Sequence, residues 1–371
     1  FTGRILLRTG TNTQEGDYPT MDTPENSPNP ELAEFYSRID KQELAPLWEV
    51  IHRLVAPKPI TRAVPHLWEY EQVRPFLMES GTIISAKEAE RRVLILENPV
   101  LRGEARTADT LYAGLQLILP GEVAPAHRHT PAALRFILEG EGAYTAVDGE
   151  RAYMSVGDFI LTPSWSWHDH GHEGVGAMVW LDGLDIPQAH FFGATFGENY
   201  PEERYPATRP PETCNARYGA NLRAVDDEPT DPASPLFSYP YSQTRPALEQ
   251  LCASRKPNLW HGYKLEYRNP MDGGSVMPTI SAFLHGLPQN FQSQRYQTTE
   301  HQIFSVVEGT GRTVVGEGEN QTEIEWGPRD HFVIPGWYPY AHETEGEVVL
   351  FSFSDQVSQK KLGLWREQRH D

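Results

Sequence analysis

A predominantly β protein, built as two copies of one sandwich or barrel behind a helical segment, is the fold class the sequence predicts, and three observations predict it. The 31 Pro and 30 Gly of this 371-residue chain punctuate it too often for long helical bundles and suit short strands joined by tight turns. Between Thr110 and Asp182, runs such as LYAGLQLIL, LRFILEG, AYTAV, DFILTP and GAMVWLDG are each bounded by Gly, Pro or Asp, as strands are. The pattern then returns. RFILEGEGAYTAVDGERAYMSVGDFILTPSWSWH, from Arg135, and IFSVVEGTGRTVVGEGENQTEIEWGPRDHFVIPGWYPY, from Ile303, share a strand, Glu-Gly-x-Gly, further strands, an apolar pair, Pro and an aromatic.

Taken in order, residues 1–20 are polar and without period, and Met21 opens a more ordinary start, so 1–20 read as an unstructured leader. A helical region is expected over 21–105. Within it, ELAEFYSRIDKQELAPLWEVIHRLV spaces its apolar residues by three and four, and Pro46 splits it into two helices. A further helix is expected near Glu71 to Ser80, and RRVLILENP reads as a strand. Residues 106–190 form the first barrel. Residues 191–265, rich in Pro, Asn, Asp and Tyr with one helical candidate at RPALEQLCASR, read as a linker. The second barrel occupies 266–357, and 358–371 is a tail in which SQKKLGLWREQR closes the chain as a short helix.

The formal net charge of -19 repels phosphate backbones and anionic lipid, so neither nucleic acid nor membrane is an expected partner. It would also repel an anionic small substrate, whose site must therefore carry its own cations. Cys214 and Cys252 are too few for a disulfide framework or a thiolate metal site, and a reducing cytoplasm is expected. No apolar run approaches the roughly 18 residues that span a bilayer.

His127-Arg128-His129 follows GEVAPA. Alternate residues of an extended strand face the same side, so both imidazoles can address one point inside a barrel. A lone His-x-His is a chance pattern in a chain with 14 histidines. A third, His168, follows DFILTP and the turn SWSW, where a neighbouring strand could bring it to the same point. Three neutral imidazoles suit Zn, Fe, Cu or Ni rather than Mg or Ca.

GEVAPAHRHTPAALRFILEG followed by GDFILTPSWSWHDH resembles the two motifs of the cupin superfamily. Three positions depart from them: Ala133 stands where the usual fourth ligand, Glu, would be, Pro163-Ser164-Trp165 replaces Pro-x-Gly, and His172 replaces the terminal Asn. A three-histidine site lacking the carboxylate is similar to the gentisate dioxygenase family. So are LYAGLQ, HRHTPAALRFILEGEG, WLDGLDIP and the paired Arg91-Arg92 before VLILENP, and the resemblance covers nearly the whole chain after Glu31. It implies an all-β bicupin of two double-stranded β-helix (jelly-roll) barrels and Fe(II) on His127, His129 and His168. It also implies O2-dependent cleavage of gentisate to maleylpyruvate in aromatic compound catabolism, and a homotetramer. The missing Glu has a physical meaning beside the resemblance. Fe(II) on three neutral ligands keeps its full charge and favours a dianionic chelator such as adjacent carboxylate and phenolate.

Matching to the family's motifs implies roles for the neighbours. Arg135, at even spacing beyond the metal strand, is placed to pair with the substrate carboxylate, with Arg91 a second candidate. His170 is a candidate proton donor or partner of bound oxygen. Gln116 is a candidate substrate contact and Asp182 a group that orients a ligand or arginine. Tyr112-Ala113-Gly114 is the gentisate-like version of a motif in which salicylate-cleaving relatives carry Trp. In the second repeat, Tyr296, Thr298 and Tyr340 fall at the three ligand positions, so that barrel is expected to be degenerate and structural. Rival readings are a salicylate or 1-hydroxy-2-naphthoate ring-cleaving dioxygenase, a cupin sugar-phosphate isomerase using Zn, and a non-catalytic aromatic-acid-binding cupin.

Overall fold

The structure, a computed structural model, describes residues 29–226, 228, 231–318 and 321–370, and the leader expected at 1–20 lies outside the described residues. The chain divides into two compact units after Arg62. The first carries α1 (Pro30–Asp40) and α2 (Leu47–Leu54). The Asn29 side chain caps α1 by accepting the Glu31 N–H, and Pro46 is the N-cap residue of α2, where a missing N–H leaves no helical bond unmade. Phe35 stacks on Trp48, whose indole donates to the Tyr36 hydroxyl.

The second unit begins with β1 (His66–Trp68), α3 (Tyr70–Ile83), β2 (Val93–Ile95), β3 (Tyr112–Ile118), β4 (Val123–His129), β5 (Ala133–Glu139) and β6 (Ala143–Val147). It continues through β7 (Glu150–Tyr153), β8 (Phe159–Thr162), β9 (His168–His172), β10 (Met178–Leu184), α4 (Ile186–Phe191), β11 (Gly197–Asn199) and α5 (Thr213–Tyr218). Then come β12 (Ser238–Tyr239), α6 (Tyr241–Ser254), β13 (Tyr263–Glu266), β14 (Ser281–Leu287), β15 (Tyr296–Thr298), β16 (Gln302–Glu308) and β17 (Gly311–Val315). Last are β18 (Thr322–Trp326), β19 (His331–Ile334), β20 (Tyr340–Thr344), β21 (Val348–Ser354), α7 (Gln356–Lys361) and β22 (Glu367–Arg369). No helix among the described residues is long and apolar enough to cross a membrane.

These strands make two jelly-roll barrels of the same plan. Barrel 1 has a six-stranded sheet ordered β12-β8-β5-β10-β3-β2 and a five-stranded sheet ordered β11-β4-β9-β6-β7. Barrel 2 repeats this as β1-β19-β16-β21-β14-β13 and β18-β17-β20-β15-β22. The edge strands are exchanged: β1, which precedes barrel 1, pairs with β19 of barrel 2, and β12, which precedes barrel 2, pairs with β8 of barrel 1. The duplication reaches the helices behind them. On α3, Tyr70 and Arg74 bind Glu139 at the end of β5; on α6, Tyr241 and Arg245 bind Glu308 at the end of β16.

The segments expected as region, linker and tail therefore differ from the structure. Residues 191–265 supply β11 and β12 to barrel 1, and α6 and β13 to the second repeat. The stretch 21–105 supplies β1 and β2. The chain closes as β22 against β15, after a helix that ends at Lys361. Segments of two to four residues are too short to show a period, and backbone pairing to an existing edge decides their state.

The main core lies where the two six-stranded sheets meet: Phe136 stacks on Phe351 at 4.2 Å, with Phe159, Phe353, Leu134 and Leu284 buried around them. Polar clamps bind the barrels reciprocally. Thr110 donates to Asp355 and Thr279 to Asp185, while those aspartates also accept the His301 and Ala132 N–H groups. The Glu-Gly shared by both repeats has a steric cause. Gly140 and Gly309 have φ of +93° and +83°, and a Cβ on either would stand 2.4 Å from a backbone carbonyl.

Candidate metal centre

β4 and β9 are neighbours, and their register sets His127 opposite His168 after a bulge past Ala124. His129 lies two residues along β4 on the same face. Among the described residues these three form a candidate metal cluster, with their ligand nitrogens within 4.8 Å of one another. His129 Nδ1 lies 2.7 Å from the Pro131 carbonyl and His168 Nδ1 3.0 Å from the Ser166 carbonyl. A carbonyl only accepts, so each Nδ1 carries the proton and each Nε2 keeps its lone pair for a metal. Burial, then Arg91, holds His127 down to about 2. Burial is also the first cause holding His129 to about 4, and His168 well below the usual histidine range. All three rings are neutral at neutral pH, which is the state a metal ligand needs. The donor set fits a borderline transition metal and offers no carboxylate, since Ala133 is a small buried residue on β5.

The rest of the interior is charged and incompletely paired. Arg135 on β5 faces Asp182 on β10 directly, with Nε 3.6 Å from Oδ1, and its Nη1 donates to Thr162 Oγ1. The Trp180 indole donates to Asp182 Oδ1 at 2.9 Å. Burial pushes the Asp182 carboxyl up to about 6, against the pull of Arg135. Arg91 reaches in just before β2 and donates to the Glu90 and Pro125 carbonyls; burial, then Arg135, lowers it to about 9. His170 lies with Nδ1 3.0 Å from Thr145 Oγ1, and burial, then Arg135, keeps it neutral. Three buried atoms here have no hydrogen-bond partner among the described residues: Arg91 Nη2, Arg135 Nε and His170 Nε2. Orphaned atoms also occur in barrel 2, on Thr298, Ser305 and His331, but the three of barrel 1 belong to two guanidiniums and an imidazole grouped beside the histidine cluster, where they are free to bind a polar ligand.

Tyr112 and Gln116 lie on β3 of the same barrel. The Tyr112 hydroxyl is 3.0 Å from where a Cβ on Gly114 would sit, and burial, then the Asp182 charge, raises its pKa. Gln116 is buried opposite Trp180, two residues along β3 from the Gly114–Asp182–Arg135 row. Thr145, Thr162 and Trp180, which hold His170, Arg135 and Asp182, are not singled out by the sequence, because no motif spacing distinguishes them.

Arg128, the residue between the two β4 histidines, is likewise not marked by motif spacing. Its guanidinium lies between the Trp165 and Trp167 rings, 4.5 Å from each centroid, and its Nε donates to Glu198 on β11 at 2.6 Å. Trp165 adopts a left-handed φ of +64° and donates its N–H to the His129 carbonyl. The outer stack thus ties the strand carrying two imidazoles to the turn carrying the third. Its trace in the sequence is the Trp-x-Trp run where the usual motif has glycine.

A family model described as "Cupin domain" matches residues 114–184. The chain is 52% identical to gentisate 1,2 dioxygenase 1 of Aquipseudomonas alcaligenes, covering 92% of this chain and 97% of that protein. It is 32% identical to 5-aminosalicylate 1,2-dioxygenase of Comamonas sp, covering 92% and 91%. Among solved structures, salicylate 1,2-dioxygenase from Pseudoaminobacter salicylatoxidans, in adducts with gentisate, superposes with a TM-score of 0.84 at 31% identity, covering 93% of this chain and 95% of that one.

Proposed function

The chain belongs to the gentisate 1,2-dioxygenase family, and from that premise we propose that it opens gentisate (2,5-dihydroxybenzoate) between the carboxylate-bearing carbon and the adjacent hydroxyl-bearing carbon. Both atoms of O2 enter the product, maleylpyruvate. The observation that carries this reading is the group of orphaned donors on Arg91, Arg135 and His170 beside three neutral imidazoles. Such a site takes an anion that also reaches the metal. Fe(II) is the metal proposed for His127, His129 and His168, and bound there it supplies electron transfer between an aromatic ring and O2 with no outside reductant.

The chain's own residues do the rest. Arg135 and Arg91 receive the substrate carboxylate, giving an acidic protein the local positive charge its substrate needs. Asp182, held by Trp180, fixes the orientation of Arg135 without consuming its Nε hydrogen. His170, anchored on Thr145 through Nδ1, leaves Nε2 to exchange a proton with a substrate hydroxyl. Tyr112 and Gln116 face the ring, and the smaller aromatic at 112 favours gentisate over salicylate.

The test is O2 uptake by protein loaded anaerobically with Fe(II), offered gentisate, salicylate and 1-hydroxy-2-naphthoate. Uptake equal to the gentisate consumed, with Arg135→Met raising KM roughly 10- to 100-fold as befits a lost hydrogen bond to a charged group, is the expected result. Silence with every hydroxybenzoate would overturn the reading.

A further inference from the structure

Barrel 2 lacks the imidazole set, yet its edge carries an unpaired cation. Lys264 on β13 lies opposite His285 of β14, the place that Val93 opposite Gln116 takes in barrel 1. Phe283, at the position of Gly114, lies beneath it, with the ammonium 3.9 Å from the ring centroid. That ring is its partner; among the described residues Lys264 makes no hydrogen bond or ion pair. The two carboxylates that act on it, Glu300 and Glu266, make no ion pair with it. Glu300 accepts from Ser354 Oγ at 2.8 Å and from Gln356 at 3.2 Å, while Glu266 accepts from Ser275 and pairs with Arg268 at 2.9 Å. Burial pulls the Lys264 ammonium below the usual lysine range, against Glu300 and Glu266. A largely desolvated charge whose carboxylates act only from beyond ion-pair distance is costly, and an anion in direct contact would lower that cost.

The space in front of it is ligand-sized. A cavity of about 460 Å³ is lined by Lys264, Phe283, His261, Arg255, Arg268 and Glu266. Burial, then Lys264, holds His261 neutral, down to about 3, so it offers a ring face rather than a charge. The exposed Arg255 lines the same cavity and makes no ion pair among the described residues, so two cations face one space in a chain of net charge -19. We infer that this cavity is a second ligand site, separate from the metal centre, which takes a small aromatic carboxylate with its carboxylate on Lys264 and Arg255 and its ring against Phe283 and His261.

Benzoate, which lacks the hydroxyl needed for ring cleavage, is the probe. Calorimetric titration into the Arg135→Met protein, whose barrel 1 has lost its carboxylate partner, should give one site per chain, weakened at least tenfold by adding Lys264→Met. Binding of equal strength in the double variant would overturn the proposal, as would equal competition by inorganic phosphate, which would make the site one for any anion. Reductive methylation of the wild-type protein provides a check that needs no folded variant. Benzoate should slow modification of Lys264 several-fold, and an unchanged rate in saturating benzoate would remove the site.

Discussion

Where barrel 1 sets His127 opposite His168, barrel 2 sets Tyr296 opposite Tyr340, and where His129 faces Gly197, Thr298 faces Glu367. The position of Arg135, opposite Asp182, is filled by Phe304, opposite Ser352, and Phe304 stacks on Phe332 at 4.7 Å. One polar pair survives in both: Thr145 with His170, and Thr313 with His342 at 2.8 Å. In barrel 1 the far nitrogen of that histidine is an orphan, whereas in barrel 2 the ring is surrounded by Tyr340, Phe304 and Phe332. The same register therefore supports a charged interior and an aromatic one. The fold does not require the metal set, and the Thr–His pair belongs to the scaffold before it belongs to the chemistry.

The comparison breaks most visibly at the ligands. Replacing His127, His129 or His168 by Ala should abolish metal retention and lower turnover by far more than the roughly 10- to 100-fold typical of groups that only support ligands. Tyr296→Phe and Tyr340→Phe should leave metal content at one per chain. Metal analysis after desalting, run beside O2 uptake, reads both. Loss of metal from Tyr340→Phe would mean that barrel 2 takes part in holding it.

A smaller effect sharpens the contrast between the strands themselves. Arg128 pairs with Glu198 across β4 and β11; at the same register in barrel 2, Gln297 donates to Gln368 at 3.0 Å. Only the first pair is clamped between two indoles, and only that strand must present two imidazoles. Arg128→Ala should weaken Co(II) or Fe(II) affinity by roughly tenfold, the lower range for residues that orient ligands, measured by competition with a chelator. Arg128→Lys should restore little, because an ammonium does not stack as a planar guanidinium does. Gln297→Ala should leave affinity unchanged, and an equal loss there would reduce Arg128 to general support of the fold.

Much of this was legible in the residues. The two copies, the His-x-His strand and His168 are carried by motifs whose spacing follows the two-residue period of a strand, and the repeat from Ile303 already places tyrosines at the ligand positions. The exchanged edges are harder to see, although the sequence holds their trace. Tyr70-Glu71-Gln72-Val73-Arg74-Pro75 and Tyr241-Ser242-Gln243-Thr244-Arg245-Pro246 share Tyr-x-Gln-x-Arg-Pro, so the second repeat begins before α6, inside the stretch expected as a linker. Strands as short as Ser238–Tyr239 carry no pattern of their own. Thr162, Trp180 and Arg128 escaped for another reason. Their roles arise from what lies across the sheet, which depends on register and not on spacing along one strand.

The smallest expected effect concerns a property the barrels share, the burial of neutral histidine. Burial, as the first cause, holds His127 to about 2 and His129 to about 4 in barrel 1, and His342 to about 3 in barrel 2. Each folded value lies below the unfolded value near 6.5, so the unfolded chain binds more protons below that pH. Stability is then complete above about 6.5 and falls as the pH drops towards the folded value, by about 1.4 kcal/mol per pH unit for each such ring. Asp182, raised to about 6, has the opposite sign: its protonated form favours the folded state, so acidification between about 6 and 4 partly offsets the histidines. A single histidine is therefore isolated best by difference. His342→Gln should flatten the loss of stability between pH 6.5 and 5.5 by about 1 kcal/mol relative to wild type, since the unfolded imidazole is only half protonated at the upper end of that window, read from urea midpoints. The flattening should be the same with and without bound metal, because His342 occupies the position of His170 and not that of a ligand. If it vanished when the metal was removed, barrel 2 would be sensing the state of barrel 1 through the Phe136–Phe351 contact, and the two interiors would be coupled.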